Sequence, residues 1–215
     1  AQYQVLLLSL TVAGITAIAA QPLRDKVQSG VDRLFFREKY DASLMLQRLS
    51  RVAASVLDLD KLMGLILDEV TATMRIGRAA FFLIQEESRG LLLVAQRGLD
   101  QNTRLRLRKD HPIVEWLSRR ESALSRHDVD VLPQFKSLWG TEREDLERIN
   151  AELFIPLKAK GELVGILAVG RKLSEVTYGQ DDQLTLTTLA NQTAVAIENA
   201  RLYEAVSKSQ REWEA

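Results

Sequence analysis

The spacing of apolar residues changes several times along the chain, and each change marks an element. From Val5 to Ala20 there is no charge, and extending the run back to Tyr3 gives about 18 residues, close to the roughly 20 that cross a hydrocarbon core. From Ala42 the apolar residues Ala42, Met45, Leu49, Val52 and Val56 recur at three and four, the spacing of a helix that pairs along one seam. A second stripe, Leu46, Ala53 and Leu57, lies beside it. "LDLDKLMGLILDEVTATM" then restarts a helix, with Asp58 placed to cap it and Leu62, Leu65, Ile66, Glu69 and Val70 marking its turns.

Next the period becomes strand-like. "RAAFFLIQE" and "LLLVAQR" flank "ESRG", and "AELFIPLKA" and "ELVGILAVG" flank "KG", which predicts two hairpins. Apolar residues fill successive positions in both, Phe81 to Ile84 in one and Val164 to Ala168 in the other. A sheet apolar on both faces must be covered on both, so helices are expected on each side. Between the hairpins, roughly 98 to 150 is irregular. "TRLRLRK" alternates like an edge strand with Leu105 and Leu107 inward, and Pro112 opens a short helix "PIVEWLSRR". Thr141 and Glu144 have capping-box spacing for a helix running to about Asn150. A closing helix has a seam of Leu189, Thr193, Ala196, Ala200 and Tyr203.

Charge and composition narrow the chemistry. Twenty-nine basic residues balance 29 acidic ones, which gives no global field to attract nucleic acid. The absence of cysteine removes disulfides, thiol nucleophiles, zinc–thiolate sites and thioether-linked chromophores. After the N-terminal apolar run come Arg24, Lys26, Arg33, Arg37 and Lys39, thinly offset by Asp25, Asp32 and Glu38, the bias of a cytoplasmic exit from a membrane. Residues 1–22 are therefore read as the end of a transmembrane helix at the inner membrane. His111 and His127 are the only histidines, and neither has carboxylates at ligand spacing, so metal and haem are not expected. No glycine-rich phosphate loop precedes a helix. Glu86 and Glu87 sit in a turn, and Asp181 and Asp182 open a helix, where the dipole favours them; no catalytic pair is read from either.

The tail "YGQDDQLTLTTLANQTAVAIENARLYE" resembles the closing segment of many bacterial GAF domains, in Tyr178, Asp181, Asp182, Leu189, Ala190, Gln192, Ala194, Ile197, Glu198, Asn199, Ala200, Leu202 and Tyr203. "LFIPLKAKGELVGILAVGRK" resembles the family's central hairpin. "PLRDKVQSGVDRLFFREKYD" is similar to the linker between membrane region and GAF domain in bacterial sensor histidine kinases, so the resemblance spans residues 22 to 205. It implies an α+β fold: an antiparallel sheet of about five to six strands covered by helices on both faces, with long signalling helices at either end. Residues 23–57 would be the linker helix, 58–204 the GAF domain, and 205–215 the start of a helical linker to an output domain. Family members hold ligands in the insertion, where Trp116, His127, Phe135 and Trp139 form a candidate pocket or fill the core beneath it. The cysteine chemistry of methionine sulfoxide reductases and covalent bilin attachment are excluded, the cyclic-nucleotide pattern is not found, and the cofactor is left unknown. The expected function is a sensory or regulatory module, without catalysis of its own, in a parallel homodimer that passes a ligand or membrane signal to its output. The alternatives are a ligand-free dimerising spacer and the GAF domain of a diguanylate cyclase.

Overall fold

A computed structural model describes residues 59–85, 90–100, 103–136, 138 and 140–213. The expected membrane segment, the linker seam Met45, Leu49, Val52 and Val56, the cap Asp58, the turn with Glu86 and Glu87, and Trp139 lie outside these residues.

Helix α1 (Leu59–Thr73) turns Leu62, Met63, Ile66, Leu67 and Val70 inward. Leu65, expected on that stripe, is exposed, because the buried face runs through the pairs Leu62–Met63 and Ile66–Leu67 instead. The first hairpin is β1 (Ala79–Gln85) and β2 (Gly90–Arg97), followed by the short edge β3 (Arg106–Arg108). The insertion holds α2 (Pro112–Ser118), β4 (Leu124–Ser125), α3 (Arg126–Val131), a 3-10 turn (Pro133–Phe135) and α4 (Thr141–Ile149). The second hairpin, β5 (Leu153–Ala159) and β6 (Glu162–Val169), leads into α5 (Gln180–Trp213).

These strands form a six-stranded antiparallel sheet of order β3-β2-β1-β6-β5-β4. The two hairpins join through β1 and β6, where Phe81 faces Leu167 and Leu83 faces Gly165. Gly165 is required there: a Cβ would stand 2.5 Å from the Phe82 carbonyl oxygen. The tight turn of the second hairpin takes Lys160 and Gly161 to φ 52° and 82°, the twist a two-residue connection needs.

Because strand side chains alternate, the continuous apolar runs feed two cores. On one face Phe81, Leu83, Ile155, Leu157, Leu167 and Val169 meet α1 and α5. On the other, Phe82, Phe154, Ile166 and Ala168 meet Leu105, Leu107 and the insertion helices. The fold is thus α+β with helices on both faces, and the arginines of β3 are solvated while its Leu107 points inward.

Cap chemistry differs from expectation in one place. Helix α4 starts one residue earlier than the Thr141–Glu144 spacing suggests: its cap is Gly140, at φ 49° and ψ −116°, with no side-chain cap bond. The capping box belongs to α3, where Ser125 Oγ accepts from Asp128 N at 3.1 Å and Asp128 Oδ2 accepts from Ser125 N at 3.1 Å. At the start of α5, Asp182 does serve the helix end, accepting from Gly179 N at 2.8 Å and pairing with Lys172 at 2.7 Å.

Candidate functional site

Two features of this scaffold bear on function: a cavity in the insertion and the outer surface of α5.

The cavity, about 180 Å³, lies among α3, the 3-10 turn and α4. Residues spaced i, i+3 and i+4 on α3 bring Arg126, Val129 and Asp130 to one side. Phe135 and Lys136 come from the 3-10 turn and its end, Leu138 from the following segment, and Arg143 and Leu146 from successive turns of α4. Its floor is apolar, since Val129, Phe135, Leu138 and Leu146 are all buried. Its rim is cationic, with Arg126, Lys136 and Arg143 against Asp130. Arg126 Nε lies 3.6 Å from Asp130, and Arg143 Nε lies 3.9 Å from Glu147, both longer than an N–H···O hydrogen bond.

Of the expected pocket residues that the structure describes, Trp116, His127 and Phe135, Phe135 lines this cavity. Trp116 is half-buried against the second core, with the Arg120 guanidinium 5.0 Å from its ring centroid. His127, one residue from Arg126, is on the exposed side of α3. The reason is helical phase: Val129 and Asp130, three and four residues on, flank the azimuth of Arg126, while His127, about 100° round from Arg126, is turned to solvent. The repeat Arg126, Val129, Asp130 was the available signal.

The other histidine is the buried one. His111, 2% exposed, caps α2 by accepting from Ile113 N at Nδ1, 3.2 Å away. The neutral ring therefore carries its proton on Nε2, which has no hydrogen-bond partner among the described residues. Burial pushes its pKa down, against the opposing pull of Glu142, Asp145 and Asp110. The Glu142 carbonyl adds to that pull without reaching hydrogen-bond geometry at Nε2. Another charge under the insertion is Lys158, its side chain 6% exposed, held by Glu121 at 3.0 Å. Tyr178 is likewise fixed, its hydroxyl donating to the Gly170 carbonyl, with burial raising its pKa. Among the described residues no group of three or more histidines and carboxylates could hold a metal ion.

On α5 the expected seam has a different neighbour. Leu189, Thr193, Ala196 and Ala200 are buried within the chain itself, Leu189 and Ala196 in the first core, whereas Tyr203 is 60% exposed. Thr193 spends its hydroxyl on its own helix, donating to the Leu189 carbonyl at 2.8 Å. Three-and-four spacing identifies a face that packs, and the sheet takes that face here. The helix is pinned by Arg201 Nη2, which donates to the Ile84 carbonyl at 2.6 Å, and by Glu198, 3.3 Å from Lys160. Exposed apolar residues form another stripe, Leu184, Val195 and Leu202. Their spacings of eleven and seven return to nearly one azimuth. No helix among the described residues is long and apolar enough to cross a membrane.

Comparison with known proteins agrees with this architecture. Solved structures of similar fold include the GAF domain of a phosphoenolpyruvate-protein phosphotransferase from Coxiella burnetii, 21% identical, TM-score 0.63, covering 77% of this chain and 98% of that one. They also include a GAF domain assigned to a sensor histidine kinase of Pseudomonas syringae pv. tomato, 15% identical, TM-score 0.56, covering 80% and 96%. At such identities the likeness is one of fold. A curated relative, Diguanylate cyclase A of Treponema denticola, is 27% identical over 182 residues. That match takes in 80% of this chain, which spans about half (47%) of the relative. The GAF domain family model matches residues 56–198, two thirds of the sequence, and takes in both hairpins, the insertion and most of the packed length of α5; the chain belongs to the GAF domain family.

Proposed function

We propose that this GAF sensory domain is the regulatory module of a membrane-bound bacterial signalling protein, a sensor histidine kinase. In this reading residues 1–22 end a membrane span, the domain lies on the cytoplasmic side, and catalysis resides in an output domain outside this chain. A small molecule held in the insertion, or a signal from the membrane, alters how α5 packs, and the helix passes that change on. A ligand can do so only through unequal affinity for the two packings.

The observation that carries the reading is α5 itself. It runs 34 residues, is buried on one side as far as Ala200, and exposes Leu184, Val195 and Leu202 on another. A helix of that length extends about 50 Å. The exposed stripe is the surface on which two parallel copies would meet, in place of the seam that the sheet occupies. Tethering to a membrane would raise the effective concentration of the second copy, so a short stripe suffices.

Cysteines test the pairing. Val195→Cys or Leu202→Cys should cross-link two chains under mild oxidation, while Leu189→Cys, buried in the core, should not. Failure of both exposed cysteines to cross-link in membranes would remove the parallel dimer. For the relay, inserting one to four residues after Trp213 of the full-length protein rotates the output by about 100° per residue. Output activity should rise and fall with that rotation; a flat response rules out transmission through α5. The diguanylate cyclase relative favours a second reading, in which the output domain makes a cyclic dinucleotide. Assaying autophosphorylation and cyclic dinucleotide synthesis on the full-length protein separates the two.

A further inference from the structure

We propose that Glu121 and Lys158 form a latch: through it the strap between α2 and β4, residues 119–123, sets how α5 is seated on the sheet. The inference rests on the reading of α5 as the helix that leads to the output, and adds the contact inside the domain that governs it.

The two ends of the latch are unequal. The Lys158 side chain, on β5, is 6% exposed, while that of Glu121 is 71% exposed. Among the described residues Glu121 is the one carboxylate that holds this ammonium, at 3.0 Å. A solvated carboxylate loses little by returning to water, but a buried ammonium left without its partner is strongly destabilising. The pair therefore opens from the strap side, and the consequence falls on β5. The strap has no second charged hold on the sheet among the described residues. Arg119 turns back to Glu115 of α2, and the Arg120 guanidinium lies over the Trp116 ring of the same helix.

Lys158 sits where one short stretch of strand serves both faces. Leu157 and Ala159, on either side of it, belong to the first core with Ala194 and Ile197 of α5, whereas Lys158 points to the insertion. Lys160, in the turn, lies 3.3 Å from Glu198 of α5. Residues 157–160 thus hold the strap on one side and the output helix on the other. The ladder is interrupted at the same place: Leu157 pairs with Gly165 but Lys158 with Leu163, so β6 carries one extra residue. A bulge bends the strand and breaks its pairing locally, which gives the hairpin tip a pivot. When the strap leaves, Lys158 reaches water by tilting that tip. Leu157 and Ala159 then move against Ala194 and Ile197, and a close-packed core transmits such a shift to α5.

The test is hydrogen–deuterium exchange on the 215-residue chain. It is read at the amides of Arg119 and Arg120, which bond to the Trp116 and Leu117 carbonyls, at α5 from Ala196 to Leu202, and at β1 as reference. Glu121→Gln replaces the anion by a neutral amide of the same shape. It should speed exchange about tenfold in the strap and in that stretch of α5, the scale of one lost charge-assisted hydrogen bond, and leave β1 unchanged. Lys158→Met keeps the apolar stem and removes the stranded charge. Added to Glu121→Gln, it should return α5 to wild-type exchange while the strap stays fast. Acceleration confined to the strap would make the pair a local fastening and overturn the latch. Equal acceleration in β1 would overturn it too, as a loss of global stability, and so would failure of Lys158→Met to restore α5. In the full-length protein, Glu121→Gln should change basal output and the double variant should restore it. Faster exchange in α5 with unchanged output would leave the latch standing and remove the relay. Unchanged exchange in α5 would remove the latch and leave the relay to its own tests.

Discussion

Adjacent substitutions on α5 distinguish the sheet-facing side of the helix from its open side. Ala194 is wholly buried in the first core, while Val195, the next residue, is 52% exposed. The helix lies mainly against β5, and its small residues Ala190 and Ala194 let it approach closely. Ala194→Leu replaces a methyl with an isobutyl group where no solvent-accessible space exists. The added apolar area gains nothing unless the helix moves, so the change should destabilise the domain by about 1–3 kcal/mol. For a domain of this size that corresponds to a fall in Tm of about 3–9 °C. Val195→Leu, in contrast, adds its methylene to solvent and slightly favours helix, so stability should stay within about 0.5 kcal/mol of wild type. Urea and thermal unfolding of both variants, followed by circular dichroism, supply the comparison. Equal effects at the two positions, or a larger effect at Val195, would refute the helix phase and with it the assignment of the expected seam to the core. If α5 relays the signal, Ala194→Leu should also change basal output in the full-length protein.

Gly165→Ala should destabilise the sheet by about 1–3 kcal/mol, because the new Cβ would meet the Phe82 carbonyl oxygen and Leu83 Cδ2 at 2.5 and 2.7 Å where β1 joins β6; a melting temperature equal to wild type would show that the hairpins can separate freely. His111 gives a pH signature. Its folded pKa is lowered from 6.5 by burial, so the unfolded chain binds the extra proton first, and stability is complete above 6.5 and declines as pH falls below it. His111→Asn keeps a polar cap on α2 without a titrating group and should flatten the decline as pH falls below 6.5; an unchanged slope would place the titration elsewhere. The ion pair of Asp68 with Arg97 acts lower on the scale: the arginine's hydrogen bond holds the Asp68 carboxyl below 3.8, so this contribution is present above 3.8 and lost as pH falls through the lowered value. Asp68→Asn should lower stability near pH 6.5 slightly and reduce the loss below pH 3.8 by the same amount, as read by acid titration of ellipticity.

What the sequence determined by itself was the set of elements and their class. The doubled apolar positions of "AAFFLIQ" and "ELVGILAV" demanded a sheet covered on both faces, because alternation sends Phe81 and Phe82 to opposite sides whatever lies there. Pro112 and the acidic start of the last helix marked ends through local chemistry that needs no tertiary context. Partner choice was not legible in the same way. The three-and-four stripe of Leu189, Thr193, Ala196 and Ala200 states only that one face packs, and the same period serves a sheet or a second helix. The lining of the cavity was hidden for a related reason: aromatic residues draw attention in a sequence, but Trp116 packs at the edge of the second core, and His127 is turned outward by one step of helix phase. The cavity exists because α3, a 3-10 turn and α4 bring Arg126, Phe135, Lys136 and Arg143 together from positions up to 17 apart in the chain, a proximity that only the packed insertion creates.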